Sequence, residues 1–76
     1  MDHTVGERIR VTRSMGLRLR TAREKKGLTQ RQLADRLQAS YQQIDQYEHG
    51  DLDVAVERLF SMAEILGITV AELFDP

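Results

Sequence analysis

Apolar side chains recur along the 76-residue chain at intervals of three and four, the spacing that gathers them on one side of a helix. Leu19 and Ala22 share one such face. Leu33, Ala34 and Leu37 share a second, and Ile44 and Tyr47 a third. Leu59, Met62, Ala63 and Leu66 form the longest stripe, where Met62 reads as core filling. Leu28, Ile68, Val70 and Leu73 would close a bundle. No segment alternates apolar and polar residues over a useful length, so no strand is expected. Gly27, Gly50 and Gly67 each end a periodic stretch, and the single proline is the last residue. Start signals fall in step with these stops. Thr4–Glu7, Thr29–Gln32, Ser40–Gln43 and Thr69–Glu72 each pair a hydroxyl with Glu or Gln three residues on, the pattern that satisfies the free amides of a first helical turn. Asp53 or Asp51 would cap the remaining helix. Five helices result: one ending near Lys26, then 30–37, 41–48, 54–66 and a short 70–74. The fold class is all-α.

Composition narrows the function classes. There are no cysteines, which excludes a disulfide framework and a cysteine-based zinc site. His3 and His49 lie far apart and have no partner at ligand spacing, so neither metal nor cofactor is expected. No apolar run approaches the roughly 20 residues of a membrane span. The polar N-terminus lacks the apolar core of a signal peptide. A soluble, cytoplasmic, nucleoid-associated protein is the expectation, with no membrane partner. Net charge is −1, which argues weakly against a polyanion partner, but its distribution is uneven. Residues 1–31 hold nine basic side chains against Asp2, Glu7 and Glu24, a balance of +6; residues 32–76 hold Arg36 and Arg58 against nine acids, a balance of −7. The basic half can serve as a phosphate-contacting surface.

The N-terminal part is irregular. Gly6, Arg8, Arg10 and Arg13 return ten residues later as Gly16, Arg18, Arg20 and Arg23, and Ile9 returns as Leu19. Ten residues turn an α-helix by about 1000°, leaving the first copy about 80° out of phase. Val5, Ile9 and Val11 therefore cannot all join one seam. Residues 1–14 are read either as a backward prolongation of the first helix to a Thr4 cap, or as a disordered arm; residues 15–76 form the domain proper. Arg8, Arg10 and Arg13 suit phosphate contact.

The second and third helices are joined by Gln38 and Ala39 alone, with Ser40 as the next cap. So short a link makes two helices cross steeply, as in a helix-turn-helix, whose second helix can enter a DNA major groove. With Ile44 and Tyr47 turned inward, Tyr41, Gln42, Asp45, Gln46 and His49 point outward. Glutamine can pair bidentately with the adenine edge, and Tyr41 can meet a thymine methyl or a phosphate. Asp45 would repel phosphate, so it accepts from a cytosine amino group or orients a neighbour. A neutral, glutamine-rich surface without a ligand is the plain alternative.

The stretch from Leu28 to Gly50, LTQRQLADRLQASYQQIDQYEHG, closely resembles the Cro/C1-type (XRE-like) helix-turn-helix family. The carriers are Thr-Gln, Leu-Ala, Ser, Ile and Glu-x-Gly at their spacing. The likeness runs from about Gly16 to Phe74 and includes ITVAELF at 68–74 as the closing helix. It implies a five-helix, lambda-repressor-like DNA-binding domain. By resemblance, Tyr41, Gln42 and Gln46, with Asp45 beside them, are the base-reading set. Arg18, Gln30, Arg31, Ser40, Gln43 and His49 are assigned to the DNA backbone. Arg23 and Glu48 match a pair that bridges the first and third helices. Two departures stand out. Gln38 occupies the turn where the family commonly has glycine, at a cost of about 1–2 kcal/mol if left-handed. Asp45 replaces a small polar residue, which leaves the base preference open.

The leading function is a small bacterial transcription regulator that binds double-stranded DNA as a homodimer, with Leu66, Ile68, Val70, Leu73 and Phe74 as the dimer contact. Restriction-modification controllers, phage-type repressors and antitoxins all fit, the last with a protein partner. A protein-interaction module on the same fold, with DNA binding lost, is the alternative, favoured by Asp45 and the acidic C-terminal half. An enzyme is not expected: five short helices leave little room for a pocket, and no nucleophile, base and orienting group converge.

Overall fold

A computed structural model describes residues 7–74. The elements run β1 (Arg8–Val11), α1 (Arg13–Lys25), α2 (Gln30–Leu37), α3 (Tyr41–His49), β2 (Leu52–Ala55), α4 (Val56–Leu66) and α5 (Ala71–Phe74). All five expected helices are present. The capping signals set most of their starts. Thr29 Oγ1 accepts from the Gln32 amide while Gln32 Oε1 accepts from the Thr29 amide, and Ser40 and Gln43 repeat the exchange at the head of α3. Thr69 and Glu72 do so for α5. Gln38 ends α2 at φ 58°, ψ 47°, the left-handed geometry expected of the turn. The Thr4 half of the first capping signal, and Val5, lie outside the described residues.

The N-terminal segment corrects both sequence readings. Over residues 8–11 it is neither helix nor disordered arm but a strand, paired antiparallel with β2 in the register Ile9↔Val54 and Val11↔Leu52. Arg-Ile-Arg-Val alternates over four residues, so β-branched Ile9 and Val11 turn inward while Arg8 and Arg10 face solvent. Thr12 is extended, at φ −79° and ψ 171°, and its side chain caps α1 by accepting from the Met15 amide. The helix therefore starts at Arg13. The second correction concerns α4. It begins at Val56, after the strand, and neither Asp51 nor Asp53 caps it; Ala55 stands at the cap with no side-chain bond. The Glu7 carbonyl accepts from the Val56 amide at 2.9 Å instead, so the N-terminal strand supplies what the cap lacks.

The core joins all these elements. Val11, Leu19, Leu33, Ile44, Leu59, Met62 and Leu73 are the largest fully buried side chains. Each contributes about 1.5–3 kcal/mol by leaving water. Val11, Met15 and Val54 enter this core although the helical pattern alone did not select them. Gly16 brings α1 unusually close to α3: a Cβ there would lie 2.8 Å from the Tyr47 carbonyl oxygen. Gly50, at φ 76°, packs against the start of α1, where a Cβ would sit 2.7 Å from the Arg13 Cα. Two backbones meeting so tightly fix where α3 ends relative to α1.

Candidate nucleic-acid interface

The orientation of α3 is set from beneath. Arg23 on α1 and Glu48 on α3 form a bidentate pair, with Nε donating to Oε2 at 2.6 Å and Nη2 to Oε1 at 3.1 Å. Their side chains are only 10% and 5% exposed, so this is a buried bridge. Hydrogen bonding to Glu48 raises the Arg23 guanidinium above the ordinary arginine range, against the opposing effect of burial. The remaining Arg23 donor, Nη1, reaches the Leu28 carbonyl at 2.8 Å. Gln30, at the head of α2, donates from Nε2 to both Glu48 Oε1 and Asp45 Oδ1, each at 3.1 Å. Thus α1, α2 and α3 are tied through one carboxylate.

Above this floor the outer face of α3 is uncovered by the described chain. Tyr41, Gln42, Gln43, Gln46 and His49 are exposed, and Asp45 is half-buried. Gln42 and Gln46, one turn apart, make no side-chain hydrogen bond within the described chain and leave their amides free for a ligand. Asp45 is engaged by its neighbours. It accepts from Gln30, and its Oδ2 lies 3.6 Å from His49 Nδ1. His49 Nδ1 also donates to the Asp45 carbonyl at 2.8 Å, which fixes the imidazole along the helix end. Gln30 faces inward, toward α3, with its amide engaged there. Ser40 and Gln43 are joined in the cap at the helix head. Arg31 lies over the Tyr41 ring, 4.3 Å from its centroid, a cation–π contact that braces the first residue of α3.

An open groove runs beside α3, lined by Arg13, Leu17, Arg20, Arg31, Tyr41 and His49, with the Arg23–Glu48 bridge below. Arg13 was already a sequence candidate for phosphate contact; Arg20, on one helix face with it through their three-to-four spacing with Leu17, was not. Arg18 was, and the structure sets it elsewhere. It lies about 130° around α1 from that face, and its Nη1 donates to the Glu72 carbonyl of α5 at 3.3 Å. The nominated dimer surface also divides. Leu66 and Leu73 are 4% and 1% exposed, spent inside the monomer; Ile68 and Val70 are half-buried; Phe74 is exposed. Phe60 and Leu17 are large exposed apolar side chains outside that set. Among the described residues no helix is long and apolar enough to cross a membrane.

A short link between two helices, the second held outward by a buried bridge to α1, is the arrangement of the helix-turn-helix regulators. Residues 19–73 match the helix-turn-helix family model, and the chain belongs to this family in its Cro/C1-type (XRE-like) form. It is 34% identical over 75 residues to an uncharacterized HTH-type transcriptional regulator of Sinorhizobium medicae (strain WSM419), a match covering 99% of this chain and 47% of the relative. The chain thus spans about half the length of that relative. The clp gene regulator ClgR from Corynebacterium glutamicum is similar in structure, with a TM-score of 0.74 and 34% identity over 80% of this chain and 65% of that one. The restriction-modification controller protein C.AhdI from Aeromonas hydrophila gives 0.73 and 33% identity, over 80% of this chain and 92% of its own.

Proposed function

We propose that the protein is a sequence-specific, DNA-binding transcriptional regulator that reads the major groove with the outer face of α3. The observation that carries this reading is the uncovered row Tyr41, Gln42 and Gln46 on a helix whose angle is locked by the Arg23–Glu48 bridge. A helix held in this way presents its outward side chains to base edges at a fixed angle, so only their own rotamers must be ordered on binding. Arg13, Arg20 and Arg31 flank the row and supply phosphate contacts in place of Arg18. A nine-residue helix is about 13 Å long and covers only a few base pairs. A homodimer spanning two half-sites about one helical turn apart supplies the remaining specificity. Phe74, beside the half-buried Ile68 and Val70, is what is left of the nominated contact for a second copy.

Selection of bound sites from a random duplex pool tests the reading. It should return a two-fold symmetric site, and affinity for it should fall steeply with salt as phosphate contacts release counterions. Asp45 and Asp51 on this face favour a second reading, a protein-interaction module without DNA binding. That reading expects no enrichment from the pool and no salt-dependent duplex affinity.

A further inference from the structure

Two acids of the carboxylate-rich half, Asp51 and Asp53, directly follow α3. Asp51 lines the groove shared with Arg13, Arg20, Arg31 and His49, so it stands on the side where DNA phosphates would arrive. Left free, a carboxylate there repels them. Both carboxylates are instead bound by one side chain from β1. Arg10 Nη2 donates to Asp51 Oδ1 at 2.9 Å and Nη1 to Asp53 Oδ1 at 3.4 Å. The ladder fixes the donor in place, because Arg10 pairs with Asp53 in the register and the Asp51 amide donates to the Val11 carbonyl at 2.6 Å. Asp51 is also held at φ 66°, a left-handed geometry that few residues other than glycine adopt.

Stability does not explain the arrangement. All three side chains are more than half exposed, and exposed ion pairs contribute little to folding. What the contact changes is the field beside the reading helix. We propose that Arg10 is a positioning residue for DNA binding: from the N-terminal strand it gathers Asp51 and Asp53 and keeps both carboxylates from the phosphates that α3 brings near. Arg10 acts through the two acids and is not itself a phosphate ligand. The inference rests on the DNA-reading assignment, and extends it to a segment outside the five helices of the family domain.

The test measures binding to the selected duplex at 50 and 300 mM salt for the wild-type protein, Arg10→Ala, Asp51→Asn/Asp53→Asn and the triple variant, with melting curves for each. Arg10→Ala should bind about three- to tenfold more weakly at low salt, with the loss shrinking at high salt as screening sets in. The triple variant should regain wild-type affinity or better, and all four proteins should melt together. Arg10→Ala binding like wild type overturns the proposal. So does a triple variant no tighter than Arg10→Ala, which makes Arg10 a direct contact. A lowered melting temperature in Arg10→Ala that the triple variant does not restore assigns Arg10 to folding and overturns it too. Failure of the wild-type protein to select any duplex is a different result: it sinks the DNA-reading assignment itself.

Discussion

Two side chains less than two turns apart on α3 have opposite jobs. Glu48 is buried and takes three hydrogen bonds, from Arg23 and Gln30; Gln42 is exposed and makes none within the described chain. Removing the Glu48 carboxylate leaves the Arg23 guanidinium buried without its partner, a loss of about 3–5 kcal/mol. Domains of this size hold only about 4–11 kcal/mol in total, so Glu48→Ala should melt far earlier than wild type and fail to bind DNA at 37 °C. Gln42→Ala should leave the melting temperature unchanged and cost about 1–3 kcal/mol at one base position of the selected site. Thermal denaturation with binding to a panel of single-base operator variants separates the two. Equal effects in both assays would mean that the division between support and reading is wrong.

At the scale of elements, helix ends were legible because their signals are local. Thr29–Gln32, Ser40–Gln43 and Thr69–Glu72 each close within three residues, and the structure makes all three reciprocal exchanges. The bridge between Arg23 and Glu48 was legible only through family likeness, since nothing local ties residues 25 positions apart. The β1–β2 ribbon was not legible. Four residues of alternation are too few to distinguish from chance, and the partner of Arg10 lies 43 residues on. The surroundings of Arg18 were not legible for a related reason: its neighbour is a carbonyl on α5, which no pattern within α1 reveals. Two predictions belong here. Gln38 is strained at φ 58°, so Gln38→Gly should stabilise the turn by about 1 kcal/mol without altering DNA affinity, as denaturant unfolding can measure. The Thr69 amide, and then its hydroxyl, hold the Glu72 carboxyl below the usual carboxylate range. A carboxylate depressed in this way stabilises the folded form at neutral pH, and that contribution is lost as pH falls below the ordinary glutamate value of 4.5. Amide exchange at Thr69 and Glu72 should lose protection over that acid range, and Glu72→Gln should flatten the dependence.

On the whole molecule, the near-zero net charge conceals a division of labour. Arg13, Arg20 and Arg31 line the groove beside α3, while the acids nearest it are bound by Gln30 and Arg10. A surface sorted in this way favours phosphate on one side only, despite a total of −1. The same sorting accounts for orientation: the Gln42 and Gln46 amides project from a helix that is bridged from below and flanked by cations. The most direct measurement is NMR of the protein bound to a selected duplex. Intermolecular contacts should join the Gln42 and Gln46 side-chain amides and the Tyr41 ring to major-groove protons, with Arg13, Arg20 and Arg31 shifted by phosphate proximity. A complex in which α3 stays solvent-exposed while the duplex contacts another face would contradict the account.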